Sequence, residues 1–128
     1  MAETPGRPSI GIGHVILRVS DIPKAAGFYK SLGMRAVVEQ EGIAILELRG
    51  GTHMLLFKAK GKPKIGVIRS FDLMVDDADA FHAEVAGRGM ATSPVREDRL
   101  SGHRMFEVTD PDGHVLTVLS DHTEGRPV

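Results

Sequence analysis

GHVILRVSDIPKAAGFYKSLGM, residues 13 to 34, returns in altered form as RSFDLMVDDADAFHAEVAGRGM, residues 69 to 90. At a constant shift of 56 positions Leu17 falls on Leu73, Val19 on Val75, Asp21 on Asp77, Gly33 on Gly89 and Met34 on Met90, with no gap. Further on, GTHMLLF (Gly51 to Phe57) lies over GHVLTVL (Gly113 to Leu119) at a shift of 62, so the later copy carries six more residues between its two blocks. The chain therefore holds two copies of one supersecondary unit. A unit with one apolar face cannot bury it alone, so the copies must pack together. The cleft between them then has equivalent positions from both halves for walls.

Within each copy the hydrophobic period changes in the same order. Val15, Leu17 and Val19 alternate with His14, Ile16 and Arg18, the pattern of a strand buried on one side and lining a space on the other. Ser20-Asp21 supplies a helix cap, Pro23 suits the first turn, and Ala25, Ala26, Tyr29 and Leu32 recur at helical spacing until Gly33, which predicts a helix over about 22–32. In the second copy Asp76-Asp77 caps, Ala78, Phe81 and Val85 form the stripe, and Gly87 and Gly89 close it. Short β-rich runs follow each helix: 36–39, 43–48 and 52–59, then 95–98, 103–109 and 114–120. Each unit reads βαβββ, with Gly50-Gly51 and Asp110-Pro-Asp-Gly113 as matching turns between its last two strands.

The 128 residues, 41% hydrophobic, suffice for one compact domain with a core shared by two halves. We divide it into a first unit over 10–60, a linker over 61–68 and a second unit over 69–121. The linker region KAKGKPKIG reads as a solvated hinge, since no aromatic residue interleaves its lysines. A formal charge of −1 with mixed signs gives no electrostatic footprint for nucleic acid or anionic lipid. Absence of cysteine excludes disulfides, thiolate metal sites and a Cys nucleophile, and fits a reducing compartment. No apolar run approaches the roughly 18 residues needed to cross a bilayer, and the start lacks an export-signal pattern, so a soluble cytoplasmic protein is expected. The first nine residues and the tail after Asp121 are expected to be loosely held and without chemistry.

GHVILRVSD followed by a helix ending in SLGM, then VDDADAF and the DPDGH hairpin, resembles the vicinal oxygen chelate superfamily: glyoxalase I, fosfomycin-resistance proteins, extradiol dioxygenases and bleomycin-resistance proteins. The resemblance covers about 10–121. It implies an α+β fold in which two tandem βαβββ units form an open, cupped, eight-stranded mixed sheet with helices on its outer face. It also implies a divalent metal in the cup of the enzymes, held by one ligand from the first and one from the last strand of each unit and acting as a Lewis acid. Carried across, those four corners are His14, Leu55, Ser70 and Thr117. Only His14 is a credible ligand. Leu55 and Thr117 stand where the glyoxalase-like pattern has Glu, and this quartet brings no negative charge to offset the metal's lost hydration. No resident cofactor is expected, with a divalent metal as the open alternative: a rearranged set of His14 with one or two of His53, His103 and His114.

Alternation alone assigns the cup walls to His14, Ile16 and Arg18; His53, Leu55 and Phe57; Ser70, Asp72 and Met74; Val115, Thr117 and Leu119. Apolar walls with a few polar groups suit a small-molecule ligand. Of these, Arg18, His53, Leu55, Phe57, Ser70, Asp72, Met74 and Thr117 are the candidate ligand-binding residues. His14 is the candidate metal ligand or, in metal-free chemistry, the proton carrier. Arg18 and Asp72 call for each other, for water or for a ligand. Glu107 is a possible partner carboxylate whose face the sequence leaves open, while His82 and His122 receive no role. Two functions follow: a metal-dependent lyase or dioxygenase of the glyoxalase type, or a metal-free binding protein. Open sheet edges and half-barrel cups add the expectation of a homodimer, its sites formed within one chain or by exchange of units.

Overall fold

A computed structural model describes residues 6–120. The expectations for the first five residues, for the tail and for His122 lie outside the described residues. In the first unit β1 (His14–Val19) leads through Ser20-Asp21 into α1 (Ile22–Ser31). The Asp21 carboxylate accepts from the Lys24 amide at 3.0 Å, satisfying a first-turn donor that the helix itself cannot. Ile22, Ala25, Ala26 and Tyr29 form the buried stripe, and Gly33 ends the run at φ 115, a conformation that costs it nothing. Three strands follow, β2 (Arg35–Gln40), β3 (Ile43–Glu47) and β4 (His53–Lys58), in the sheet order β1-β4-β3-β2 with β1 and β4 parallel.

The second unit repeats this plan. A short strand β5 (Gly66–Val67) precedes β6 (Leu73–Val75), α2 (Ala78–Gly87), β7 (Ala91–Thr92), β8 (Arg96–Glu97), β9 (Arg104–Thr109) and β10 (His114–Ser120). Asp77 caps α2 through the Ala80 amide at 3.1 Å, as its twin Asp21 caps α1. Both β5 and β6 run parallel to β10, which pairs antiparallel with β9, and β7 and β8 join the far side of β9. The protein is thus α+β, with two α-helices and ten strands in two mixed sheets and no closed barrel among the described residues. The eight strand positions expected from periodicity become ten because two-residue pairings at Gly66–Val67 and Ala91–Thr92 add to them. The former lies in the expected linker, so part of that segment pairs with the second sheet. Ser70 sits in a bend and Asp72 just before β6, so neither lies on a strand. No helix among the described residues is long and apolar enough to cross a membrane.

One buried cluster holds both halves together, joining Leu17, Val19, Tyr29, Leu46 and Met54 to Leu73, Val85, Phe106, Val108 and Leu116. Polar bonds also cross the seam. The Tyr29 hydroxyl donates to Asp110 Oδ2 at 2.7 Å, and Asp110 Oδ1 accepts from the backbone amides of Asp112, Gly113 and His114 at 2.9, 3.0 and 2.9 Å. His114 Nε2 donates to the Arg18 carbonyl at 2.8 Å, because a carbonyl can only accept, and its buried Nδ1 has no partner. Ser20 holds Asp112 through its amide at 2.9 Å and through its hydroxyl.

The internal repeat shows that this seam is one-sided. By the shifts of 56 and 62, the twins of Tyr29, Asp110 and His114 are Val85, Leu48 and Thr52. Where the first trio forms a filled, hydrogen-bonded clasp, the second trio is smaller and mostly apolar. A cleft of roughly 900 Å³ opens on that side, lined by Leu48 and Thr52 with Leu32, Met34, Phe71 and Phe81. Arg49 crosses to Asp76 beside it at 3.0 Å.

Candidate functional site

Strand register assembles the face of the first sheet that points away from α1. Partners in register share a face, so three rows run across β1, β4, β3 and β2: His14–His53–Glu47–Arg35, Ile16–Leu55–Ile45–Val38, and Arg18–Phe57–Ile43–Gln40. A bulge at Val37 keeps the last column in step. The opposite parity, Leu17, Val19, Ala44, Leu46, Met54 and Leu56, is buried under the helix. An apolar row is thus bounded by a polar row at one end and by Arg18 and Gln40 at the other.

The polar row is internally connected. Arg35 donates to Glu47 Oε1 through Nε at 2.7 Å and through Nη2, while Glu47 Oε2 lies 3.8 Å from His53 Nε2. That separation lies within ion-pair range and beyond a direct hydrogen bond. His14 stands beside His53 with ring centroids 6.3 Å apart. In the third row the Arg18 guanidinium lies 5.7 Å from the centroid of Phe57, a cation–π contact that keeps it over the sheet. Arg18 and Asp72 form no ion pair among the described residues; Asp72 lines the cleft between the units instead. His53, Leu55 and Phe57 share the open face as strand parity predicted.

The second sheet contributes a comparable face. Thr117 lies opposite Glu107 and Leu119 opposite Met105, with Met74 beyond Leu119 and Val67 beyond Val115. Glu107, whose face the sequence left open, is on this side, 3.3 Å from Arg96. Met74 also borders the cleft between the units. Two histidines expected near the rim are turned to structural work. His114 shares the parity of buried Leu116 and Val118 and lies on the helix side, and His103 Nδ1 meets the Ser120 carbonyl at 2.7 Å.

The four corners implied by the resemblance do not fit a divalent ion. Leu55 sits in the middle of an apolar row, Ser70 lies in a bend off the strand, and the carboxylate opposite Thr117 is paired with Arg96. Among the described residues no group of three or more His, Asp or Glu side chains is arranged to hold a metal. Sequence reasoning missed Glu47 and Arg35, which belong to a middle and an edge strand. The alternation in Ile43 to Glu47 carried the signal, but only register puts Glu47 opposite His53.

Among the described residues, the ionisable group displaced furthest is not on the open face. Burial first, then its bond to Asp110, pushes the Tyr29 phenol far above its ordinary value.

Residues 11–118, nearly all of the two units, match the Glyoxalase/Bleomycin resistance protein/Dioxygenase superfamily. The chain belongs to this superfamily. Among solved structures, lactoylglutathione lyase from Agrobacterium tumefaciens aligns with a TM-score of 0.74 at 19% identity, covering 93% of this chain and 99% of that one. A bleomycin resistance determinant encoded on the transposon Tn5 aligns with a TM-score of 0.72 at 22% identity, covering 88% and 99%. At such identities the likeness is one of fold. Biphenyl-2,3-diol 1,2-dioxygenase from Sphingomonas paucimobilis is 54% identical over 43 residues, which are 27% of this chain and 14% of that protein. The match therefore spans a small part of that relative's length. Superfamily membership fixes the scaffold, and function has to be argued from the site.

Proposed function

We propose that this superfamily member binds a small molecule on the open face of its first sheet without a resident chelate centre, and that a second copy of the chain supplies the facing wall. The observation that carries the reading is the row Ile16–Leu55–Ile45–Val38, apolar where a chelate would need a carboxylate. Phe57 and Ile43 extend it into a patch of six apolar side chains, none fully buried, with Ile16 56% exposed. A contiguous apolar patch of this kind, bordered by polar groups, marks an interaction site. His53, Leu55, Phe57 and Arg18 supply contacts from the first unit, with His14 as the available proton carrier. Met74, Thr117, Ser70 and Asp72 are the candidates from the second. The homodimer follows from two open faces left uncovered in one chain, Met74 and Val67 on the second being 44% and 47% exposed. The absence of cysteine suits a reducing cytoplasm.

The competing reading is a metal-dependent lyase or dioxygenase with a rearranged ligand set around His14. The placement of His14 beside His53, with Glu47 next in the row, is the observation in its favour. Elemental analysis of untagged protein separates the two, with His14→Ala as control. The expected result is no stoichiometric divalent ion. One tightly held equivalent that disappears in His14→Ala would overturn the metal-free reading.

A further inference from the structure

We propose that the ligand of this face is a small monoanion with a flat apolar body. Its carboxylate sits on Arg18, and an oxygen at its far end hydrogen-bonds His53, which Glu47 and Arg35 hold in place. This rests on the binding reading above and adds the charge, shape and orientation of what is bound. The charge follows from pairing. Along the rows of both sheets, Glu47 is matched by Arg35 and Glu107 by Arg96, whereas Arg18 has no ion pair among the described residues. One unmatched guanidinium beside apolar side chains favours one negative charge, and its planar fork suits a carboxylate. A dianion would leave its second charge uncompensated over Ile43 and Phe57.

The shape follows from the floor. Ile16, Leu55, Ile45 and Val38 form a single row across a sheet surface, so a flat body gains more contact there than a bulky one. The length follows from the register. His53 and Phe57 are four residues apart on β4, which at strand rise separates the outer rows by roughly 13 Å between backbones. The Arg18 guanidinium stands over Phe57 in one outer row and the His53 ring beside Glu47 in the other, a span that one substituted ring fits. Glu47 acts as a positioning residue. Its carboxylate, anchored by Arg35, lies 3.8 Å from His53 Nε2, within ion-pair range, and so favours ring orientations that turn that nitrogen toward Glu47 and leave the other to meet a ligand.

The test uses the full chain and three probes: 4-hydroxybenzoate, its neutral amide 4-hydroxybenzamide, and benzoate. Calorimetry measures affinity, and amide-resonance shifts locate the site. The wild-type protein is expected to prefer the acid over the amide by about tenfold or more, the worth of one charge-assisted bond. Arg18→Gln is expected to erase that preference. Glu47→Gln and His53→Gln are expected to remove the advantage of the hydroxylated acid over benzoate. A purely structural effect would weaken all three probes alike.

Equal binding of acid and amide at the open face would overturn the anion assignment while leaving the binding reading intact. A hydroxyl advantage that survives Glu47→Gln would overturn the role given to that residue. If no probe shifts resonances of β1, β3 or β4, both this proposal and the reading beneath it fall.

Discussion

Removing one hydroxyl from the seam between the units tests how that seam is held. In Tyr29→Phe the ring keeps its volume and its edge contact with Phe28, centroids 5.1 Å apart, so no cavity is created. What is lost is the 2.7 Å bond from the phenol to Asp110 Oδ2, between a fully buried tyrosine and a carboxylate that is 5% exposed. The three amides on Oδ1 remain, so the carboxylate keeps most of its compensation. A hydrogen bond to a charged group contributes about 1.5–3 kcal/mol, which places the loss at about 2 kcal/mol. With a urea m-value of about 1–3 kcal/mol/M for a small domain, the midpoint should fall by roughly 1 M at unchanged slope. The pH dependence gives a second, independent signature. The phenol's pKa is raised in the folded state, so its contribution is complete below the unfolded value near ~10 and is lost as pH rises above it. The Phe variant lacks this titration, and the gap between the two proteins should narrow in alkali. A midpoint shift under about 0.3 M, or a gap that stays constant above pH ~10, would refute the claim that this bond clasps the halves.

Other substitutions probe other links of the argument. Phe106→Ala, at a fully buried position of the shared core, should cost about 3–5 kcal/mol in the same denaturation assay, with a midpoint loss well beyond that of Tyr29→Phe. Asp77→Ala removes the acceptor of the Ala80 amide at the start of α2 and should cost about 1 kcal/mol, detectable as a lower melting temperature. Gly113→Ala forces an alanine to φ 104 and brings its Cβ to 3.0 Å from Ile65 Cδ1, whereas Gly42→Ala meets a φ of 93 with nothing near. Each should destabilise by about 1–3 kcal/mol through backbone strain, with Gly113→Ala the worse, because its turn also supplies amides to Asp110. In sedimentation, the wild-type chain should associate into dimers and Ile16→Lys should shift it toward monomer; identical monomeric behaviour of both would remove the second copy from the binding site.

The repeat in the sequence carried the fold because it is written in features that local physics enforces. Asp21 and Asp77 cap helices, Gly33 and Gly89 end them, and the alternation through His14–Val19 and His114–Ser120 sets which face is buried. The open-face residues Arg18, His53, Leu55 and Phe57 were legible for the same reason. The histidines near the second hairpin were not. His114 follows a polar turn and looks exposed, but the strand begins at that residue and its parity turns the ring inward, where only a long-range partner, the Arg18 carbonyl, satisfies it. Glu47 escaped because a cross-strand neighbour depends on register, and register depends on a turn geometry that Gly50-Gly51 hints at without determining. Arg18 and Asp72 do not pair: Asp72 precedes β6 instead of lying on it and lines the cleft between the units, a placement that alternation alone does not give.

The two halves have diverged where they meet, and this divergence lets one scaffold separate stability from the proposed binding. A duplicated unit that kept its symmetry would close both ends of its seam alike. Here one end is filled by Tyr29, Asp110 and His114 with every Asp110 oxygen bonded, while at the other Leu48 and Thr52 line a cleft bridged by Arg49 and Asp76. The bonded end binds the units through groups that face the helices, and what it takes from Arg18 is the backbone carbonyl, so no open-row side chain is drawn into it. The rows are then free to carry an unmatched Arg18 and a half-exposed apolar floor, features that would be costly in a face needed for the fold itself. The asymmetry makes this separable by experiment: Tyr29→Phe should lower stability without altering which probe the open face prefers, and Arg18→Gln should do the reverse. Coupling between the two substitutions beyond about 0.5 kcal/mol in a double-mutant cycle would mean that clasp and binding face are one device rather than two.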